Sequence, residues 1–209
     1  RALLTEQELV LSRLAARPLV KAMDPARCDP QLGEYTQLHP EFVNVMQFDI
    51  DGNYVCSAVP LLREMDNVRS HVAWDSIRLS NAFRAGDVVT GLVTGRSLLM
   101  LSFPVHDDED GGIQGMLVMA ADLAGLQQRM AQPVHDQVHT VVRDGRGQVV
   151  WRVGPPQAEG LVQADDAGGG ATDAMLLVRS TVDGTAWTLE SRMLRADALA
   201  AADLARNRL

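Results

Sequence analysis

The chain is short of positive charge. Its 19 Lys and Arg stand against 27 Asp and Glu, a formal charge of −8. That balance argues against a nucleic-acid binder, which needs a basic face. No apolar run reaches the ~18–20 residues of a membrane-spanning helix, and no secretory signal is visible. Catalytic signatures are missing too: there is no serine elbow, no phosphate-cradling loop and no cysteine beside an organised base. Gly111-Gly112-x-x-Gly115 falls inside a hairpin and not at a strand-to-helix turn, so it is not a nucleotide loop. No enzyme and no cofactor is expected.

Metal sites fare little better. His135 and His139 have i, i+4 spacing only if helical, and Pro133 with the strand that follows opposes a helix, so zinc is not assigned. Asp49-Ile50-Asp51-Gly52-Asn53 lacks the later glutamate of a calcium loop and reads as a turn. The acid-rich tip His106–Asp110 could offer oxygen ligands to calcium, but a solvated hairpin end, charged against edge pairing, is the better reading. Only two cysteines occur. Cys28 lies in a polar loop and Cys56 at the end of an expected strand. A disulfide between them is favoured over two free thiols and would imply an oxidising compartment.

What the sequence does have is a globular balance, 46% hydrophobic against 22% charged over 209 residues, enough for one large domain or two small ones. Its organising stretch is SLLMLSFPVHDDEDGGIQGMLVMAAD, residues 97–122. Two apolar runs, Leu98–Val105 and Ile113–Ala121, flank the polar link His106–Gly112. They are expected to be antiparallel strands in the middle of a sheet. Asp122 closes the second run. It either caps the helix DLAGLQQRMAQ, which Pro133 ends, or contacts a ligand; the two roles are compatible.

Before this stretch, residues 1–17 carry an apolar stripe at helical spacing, and Pro18 begins a short second helix, Leu19–Met23. Phe42–Phe48 and Tyr54–Cys56 form a hairpin. Residues 61–86 hold Trp74, Ile77 and Phe83, a helical or irregular layer over the sheet that Gly86 ends. Val88–Val93 is a strand and Thr94-Gly95-Arg96 a turn. After it, the pattern repeats. Val138–Val142 and Gln148–Val153 flank Asp144–Gly147, echoing the D-x-x-G turn of Asp49–Gly52. Pro155–Pro156 and Gly168–Gly170 mark a loop region. Met175–Ser180 and Ala186–Met193 form a last hairpin, and Ala196–Arg206 a last helix. The fold class is α+β: a long N-terminal helix, then two units with antiparallel sheets. The second unit has less apolar material and is the poorer candidate for a pocket.

Taken together, the helix of residues 1–21, EFVNVMQFDIDGNYVCSAVP, AWDSIRLSNAF, GDVVTGLVTGRSLLMLSFPV, GGIQGMLVMAADLAGL and the second unit VVRDGRGQVVWRVG resemble the double Cache (PAS-like) extracytoplasmic sensor domains of bacterial transmembrane receptors. The likeness covers nearly the whole chain and is nearest to sensor regions attached to diguanylate cyclases and histidine kinases. It implies a helical stalk over residues 1–32, a membrane-distal ligand-binding unit over 33–132, a smaller membrane-proximal unit over 133–195, and a C-terminal helix over 196–209 leading to a membrane span. It implies a periplasmic location, with flanking membrane helices outside this chain. An Arg1 start and a mid-helix end fit an excised piece of a longer protein.

In such domains, amino-acid binders carry an arginine and an aromatic pair before the sheet and an aspartate at the end of the last strand. Trp74 matches one aromatic and Asp122 the aspartate. Val72 stands where the arginine would be and Asp75 where the second aromatic would be, so a small amine, another polar ligand or an empty pocket stays open. The candidate ligand-binding residues are Trp74, Phe83, Asp87, Met100, Ser102 and Asp122. Each has a plainer alternative: core packing for Trp74 and Phe83, capping for Asp87 and Asp122. Met100 and Ser102 alternate along one strand and so share a face, whether that face lines a pocket or not. The expected function is sensing of a small molecule, relayed to a cytoplasmic output. The alternative is a structural, dimerising or protein-docking ectodomain that holds no ligand. A homodimer through the N-terminal helix is a further expectation, and nucleic acid is not an expected partner.

Overall fold

The computed structural model describes residues 2–60, 67–69, 74, 80–91, 95–129, 138–154 and 175–199. The chain divides into two compact units, Arg1–Leu126 and Gln127–Leu209. Val72, Asp75, Ile77, Val93, Thr94, Pro133, His135, the loops at 155–156 and 168–170, and most of the expected last helix lie outside the described residues; 195–199 are helical.

The first unit opens with three helices, α1 (Ala2–Ala15), α2 (Pro18–Lys21) and α3 (Pro30–Leu38). Pro18 stands at the first turn of α2, where its missing N–H costs nothing. Helix α3 has no counterpart in the sequence reading, because its stripe is short and Leu32 is its one buried residue. Its signal is at the start: Asp29 accepts from the Gln31 N–H at 3.0 Å and Pro30 follows, an N-cap with a proline inside it.

Five strands follow: β1 (Phe42–Asp49), β2 (Tyr54–Ser57), β3 (Arg84–Thr90), β4 (Ser97–His106) and β5 (Ile113–Asp122). They form one antiparallel sheet in the order β2-β1-β5-β4-β3, so the apolar hairpin β4–β5 is interior, as its composition requires. Strand β3 starts four residues before the expected Val88, and Gly86 lies within it. The register against β4 shifts between Ala85 and Val88, and this bulge holds Gly86 and Asp87. Asp122 is the last residue of β5, and α4 (Leu123–Arg129) starts immediately after it.

The sheet has two buried faces. Val45, Leu99, Leu101, Val105, Leu117, Met119 and Ala121 are buried on one side, where α1 and α2 pack on β4. Gln47, also buried there, donates from Nε2 to the Val20 carbonyl at 2.6 Å and so fixes α2 against β1. A buried amide needs such a partner. The opposite face holds Phe48, Met116 and Val118 under Trp74. The Cys28 and Cys56 sulfurs are bonded, with Cα atoms 5.6 Å apart, tying the loop before α3 to edge strand β2.

The second unit contains β6 (His139–Arg143), β7 (Val149–Val153), β8 (Met175–Thr181) and β9 (Thr188–Leu194), in the order β7-β6-β9-β8. It repeats the first in detail. In β1–β2 the Gly52 N–H donates to the Asp49 carbonyl and the Asp49 Oδ1 accepts from the Asn53 N–H at 2.8 Å. In β6–β7 the Gly147 N–H donates to the Asp144 carbonyl and the Asp144 Oδ1 accepts from the Gln148 N–H at 2.8 Å. Gly52 and Gly147 take φ of +82° and +79°, which glycine adopts without strain. In each unit the early and late hairpins share one sheet, joined through β1–β5 and β6–β9.

Candidate functional site

Register places the site residues. Cross-strand partners point to the same face, so Ser57, Met46, Val118, Ser102 and Arg84 form one row across all five strands. The next row runs Tyr54, Phe48, Met116, Pro104. Trp74 lies over these two rows. It is 2% exposed, and its ring meets Phe48 edge-on with centroids 5.8 Å apart at 66°. Such a contact adds ~1 kcal/mol to the area buried. Tyr54 stands edge-on to Phe48 in turn, at 6.3 Å. Met46, Val68, Met100 and Ile113 pack around this cluster.

Two polar groups sit in this apolar setting. Ser102 is buried beside Val118. The Nε1 of Trp74 is buried and finds no hydrogen-bond partner among the described residues. An indole N–H only donates, and a buried donor left unpaired costs about 1–3 kcal/mol. The β1–β2 turn lies close by: a side-chain carbon built on Gly52 would lie 3.2 Å from this nitrogen. The glycine lets the ring settle there.

Asp122 occupies the far end of the same strand. It lies four residues beyond Val118, ~13 Å along β5. Its side chain is 17% exposed, and Oδ2 accepts from Arg96 Nη1 at 3.1 Å while Oδ1 accepts from the Ala124 N–H at 3.2 Å. It therefore caps α4 and holds an arginine at once. Its own N–H donates to the Glu41 carbonyl at 2.8 Å, which fixes the strand end.

Of the predicted residues, the structure brings Trp74, Met100 and Ser102 to one face and leaves Asp122 at its margin. Asp87 lies half-buried in the bulge of β3. Phe83 is half-buried just ahead of Arg84, which stands opposite Ser102. The residues that sequence reasoning missed are Phe48, Met116 and Val118 beneath the indole, and Arg96 on Asp122. The symmetric register of the β4–β5 hairpin carried the second of these: pairing Val105 with Gly115 puts Leu98 opposite Asp122, and so Arg96 beside it.

At the acidic hairpin tip, Asp107 Oδ1 accepts from the Glu109 N–H, Asp110 Oδ1 from the Gly112 N–H, and Asp108 pairs with Lys21. These carboxylates shape and solvate the turn. Among the described residues no group of three or more His, Cys, Asp or Glu is placed to hold a metal ion, and no helix is long and apolar enough to cross a membrane.

No protein-family model matches the chain, and no curated protein matches it by sequence. Solved structures do. The ligand-binding domain of the Pseudomonas fluorescens chemoreceptor CtaA, in complex with L-leucine, superposes with a TM-score of 0.65 at 15% identity, over 95% of this chain and 89% of that one. The sensory domain of the Campylobacter jejuni chemoreceptor Tlp3, with isoleucine bound, gives 0.62 at 15% identity, over 90% and 82%. The sensor domain of the V. cholerae histidine kinase DctB gives 0.59 at 15% identity, over 93% and 91%. The fold is thus that of Cache-type sensor domains: an N-terminal helix followed by two units, each with an antiparallel sheet.

Proposed function

We propose that the chain is the extracytoplasmic input module of a bacterial transmembrane signalling receptor. It binds a small molecule in its first unit and relays the event to a cytoplasmic output domain. The ligand rests on the sheet face formed by β1, β5 and β4, between Trp74 above and Met100 and Ser102 below. The observation that carries this reading is the indole N–H of Trp74, a buried donor with no described partner over an apolar face. A ligand with a hydrogen-bond acceptor, such as a carboxylate or an amide, would satisfy it. The fold shared with chemoreceptor and histidine-kinase sensor domains supports the same assignment.

Asp122 acts at the margin. Its carboxylate is held by Arg96, so a cationic ligand group reaches it only in exchange for that guanidinium. This favours an uncharged or anionic head at the Trp74 end and makes a cation at Asp122 a secondary contact. Ligand binding then biases two arrangements of the module in proportion to its differential affinity for them.

A thermal-shift screen of metabolites tests the reading. A ligand at 100 times its Kd stabilises by about 2.7 kcal/mol, which moves the melting temperature of a unit this size by about 10 °C. The shift should vanish in Trp74→Phe, which keeps a ring but not the N–H, and persist in Asp122→Asn, which keeps the cap. No stabilisation by any compound, or a shift unaffected by Trp74→Phe, refutes it.

A further inference from the structure

The row that crosses the first sheet beneath Trp74 ends in a charge. It runs Met46, Val118, Ser102 and Arg84, one residue from each of β1, β5, β4 and β3. Cross-strand partners share a face, so the Arg84 stem starts on the Trp74 side, its Cβ ~4.5–5.5 Å from that of Ser102. The two residues differ in depth: Ser102 is 1% exposed, whereas Arg84 is exposed. A hydroxyl thus sits at the floor and a guanidinium at the rim. An arginine lays its aliphatic stem along apolar neighbours and carries its charge at the tip.

Three other arginines of this unit are engaged. Arg17 pairs with Asp29 at 2.7 Å, Arg69 with Asp51 at 3.4 Å and Arg96 with Asp122 at 3.1 Å. Arg84 makes no ion pair or hydrogen bond with a described residue. The opposite end of the face offers a second donor, since Trp74 Nε1 lies beside Gly52 in the turn that leaves β1. From the lane of β1 to that of β3 is three strand spacings, ~14 Å. A guanidinium reaching back over Ser102 spans one of them. That leaves ~9–10 Å between the two donors.

We propose that Arg84 determines the specificity of this site: with Ser102 it holds the carboxylate of an elongated ligand whose other end carries a neutral acceptor for Trp74 Nε1. The inference rests on the ligand site proposed above and adds the charge and length of the ligand. A guanidinium fork matches a carboxylate through two parallel hydrogen bonds. Ser102 donates a third from the floor. One guanidinium balances one negative charge, so the match is a monocarboxylate. A separation of ~9–10 Å corresponds to a chain of roughly six to eight carbons. Its methylenes lie on Met46, Met100 and Val118, an apolar bed that disfavours a second charge. In a chain of formal charge −8, a fixed cation is also what draws an anion to this face.

Isothermal titration of the whole chain tests this with ω-hydroxy carboxylates of about four to ten carbons, each beside its primary amide. Acids of roughly six to eight carbons should bind, and their amides about 10- to 100-fold more weakly. Arg84→Gln should weaken the acids by the same factor and abolish the preference for acid over amide. Its melting temperature without ligand should not change, since Arg84 is exposed. Arg84→Lys should restore part of the preference, and Trp74→Phe should weaken acid and amide alike. An acid affinity untouched by Arg84→Gln, or no binding by any acid of the series, would overturn the proposal. Acid and amide that bind equally, and are both lost in Trp74→Phe, would overturn the role of Arg84 and leave the ligand site standing. Binding indifferent to Trp74→Phe as well would overturn both.

Discussion

Breaking the Cys28–Cys56 bond should lower the melting temperature of the first unit by about 10–14 °C. The bond spans 28 positions and ties the loop ahead of α3 to β2. In the unfolded chain it removes loop-closure entropy worth about 3.6 kcal/mol at 25 °C for a loop of that length. A unit of the size of Arg1–Leu126 loses roughly 4 °C per kcal/mol. Cys28→Ser is the cleaner perturbation, because Cys28 is exposed whereas Cys56 is buried and as a thiol behaves as a small apolar group. Scanning calorimetry of the wild type with and without reductant, and of Cys28→Ser, should give the same lowered transition for the first unit. The transition of Gln127–Leu209, which contains no cysteine, should stay in place. An unmoved first transition, or equal movement of both, would refute the reasoning.

Three further outcomes follow from side-chain geometry. Asp29 is buried, caps α3 and accepts from Arg17 Nε at 2.7 Å. Asp29→Ala should cost about 2–3 kcal/mol in urea unfolding, whereas Asp29→Asn keeps the cap and should cost about 1 kcal/mol. Burial pushes the Glu190 carboxyl up, but hydrogen bonds from Arg179 and Arg192 outweigh it and hold the group below the usual carboxylate range. Its contribution is therefore complete above the unfolded pKa of about 4.3 and lost as pH falls through the folded value. Glu190→Gln should destabilise the second unit by about 1 kcal/mol at pH 7 and flatten its acid dependence, read from melts between pH 7 and pH 3. Gly52→Ala forces an L side chain to φ +82° with its Cβ 3.1 Å from the Trp74 ring. It should cost about 1–2 kcal/mol and change the near-UV circular dichroism, because the indole must shift.

The parts of the fold legible in sequence were those fixed by short-range chemistry. Asp49-x-x-Gly52 and Asp144-x-x-Gly147 are turns because an Asp oxygen and a positive-φ glycine are both needed there. The interior hairpin was legible because Leu98–Val105 and Ile113–Ala121 are too apolar for an edge. Helix α3 was not, since its identity rests on the Asp29 cap and not on a stripe. The start of β3 was also missed. Gly86 reads as a terminator, yet it sits inside a bulge whose existence depends on pairing with β4. For the candidate site, Met100 and Ser102 sharing a face followed from strand alternation alone. That Trp74 settles on Phe48, Met116 and Val118 required the register of three strands brought together from distant sequence.

The central claim is that the face beneath Trp74 holds a small molecule. A co-crystal structure with a compound that raises the melting temperature measures this directly. The account predicts a ligand acceptor atom ~2.9–3.0 Å from Trp74 Nε1, with the ligand body against Met100 and Ser102. A ligand bound elsewhere, while Trp74 Nε1 donates to a protein carbonyl, would contradict it.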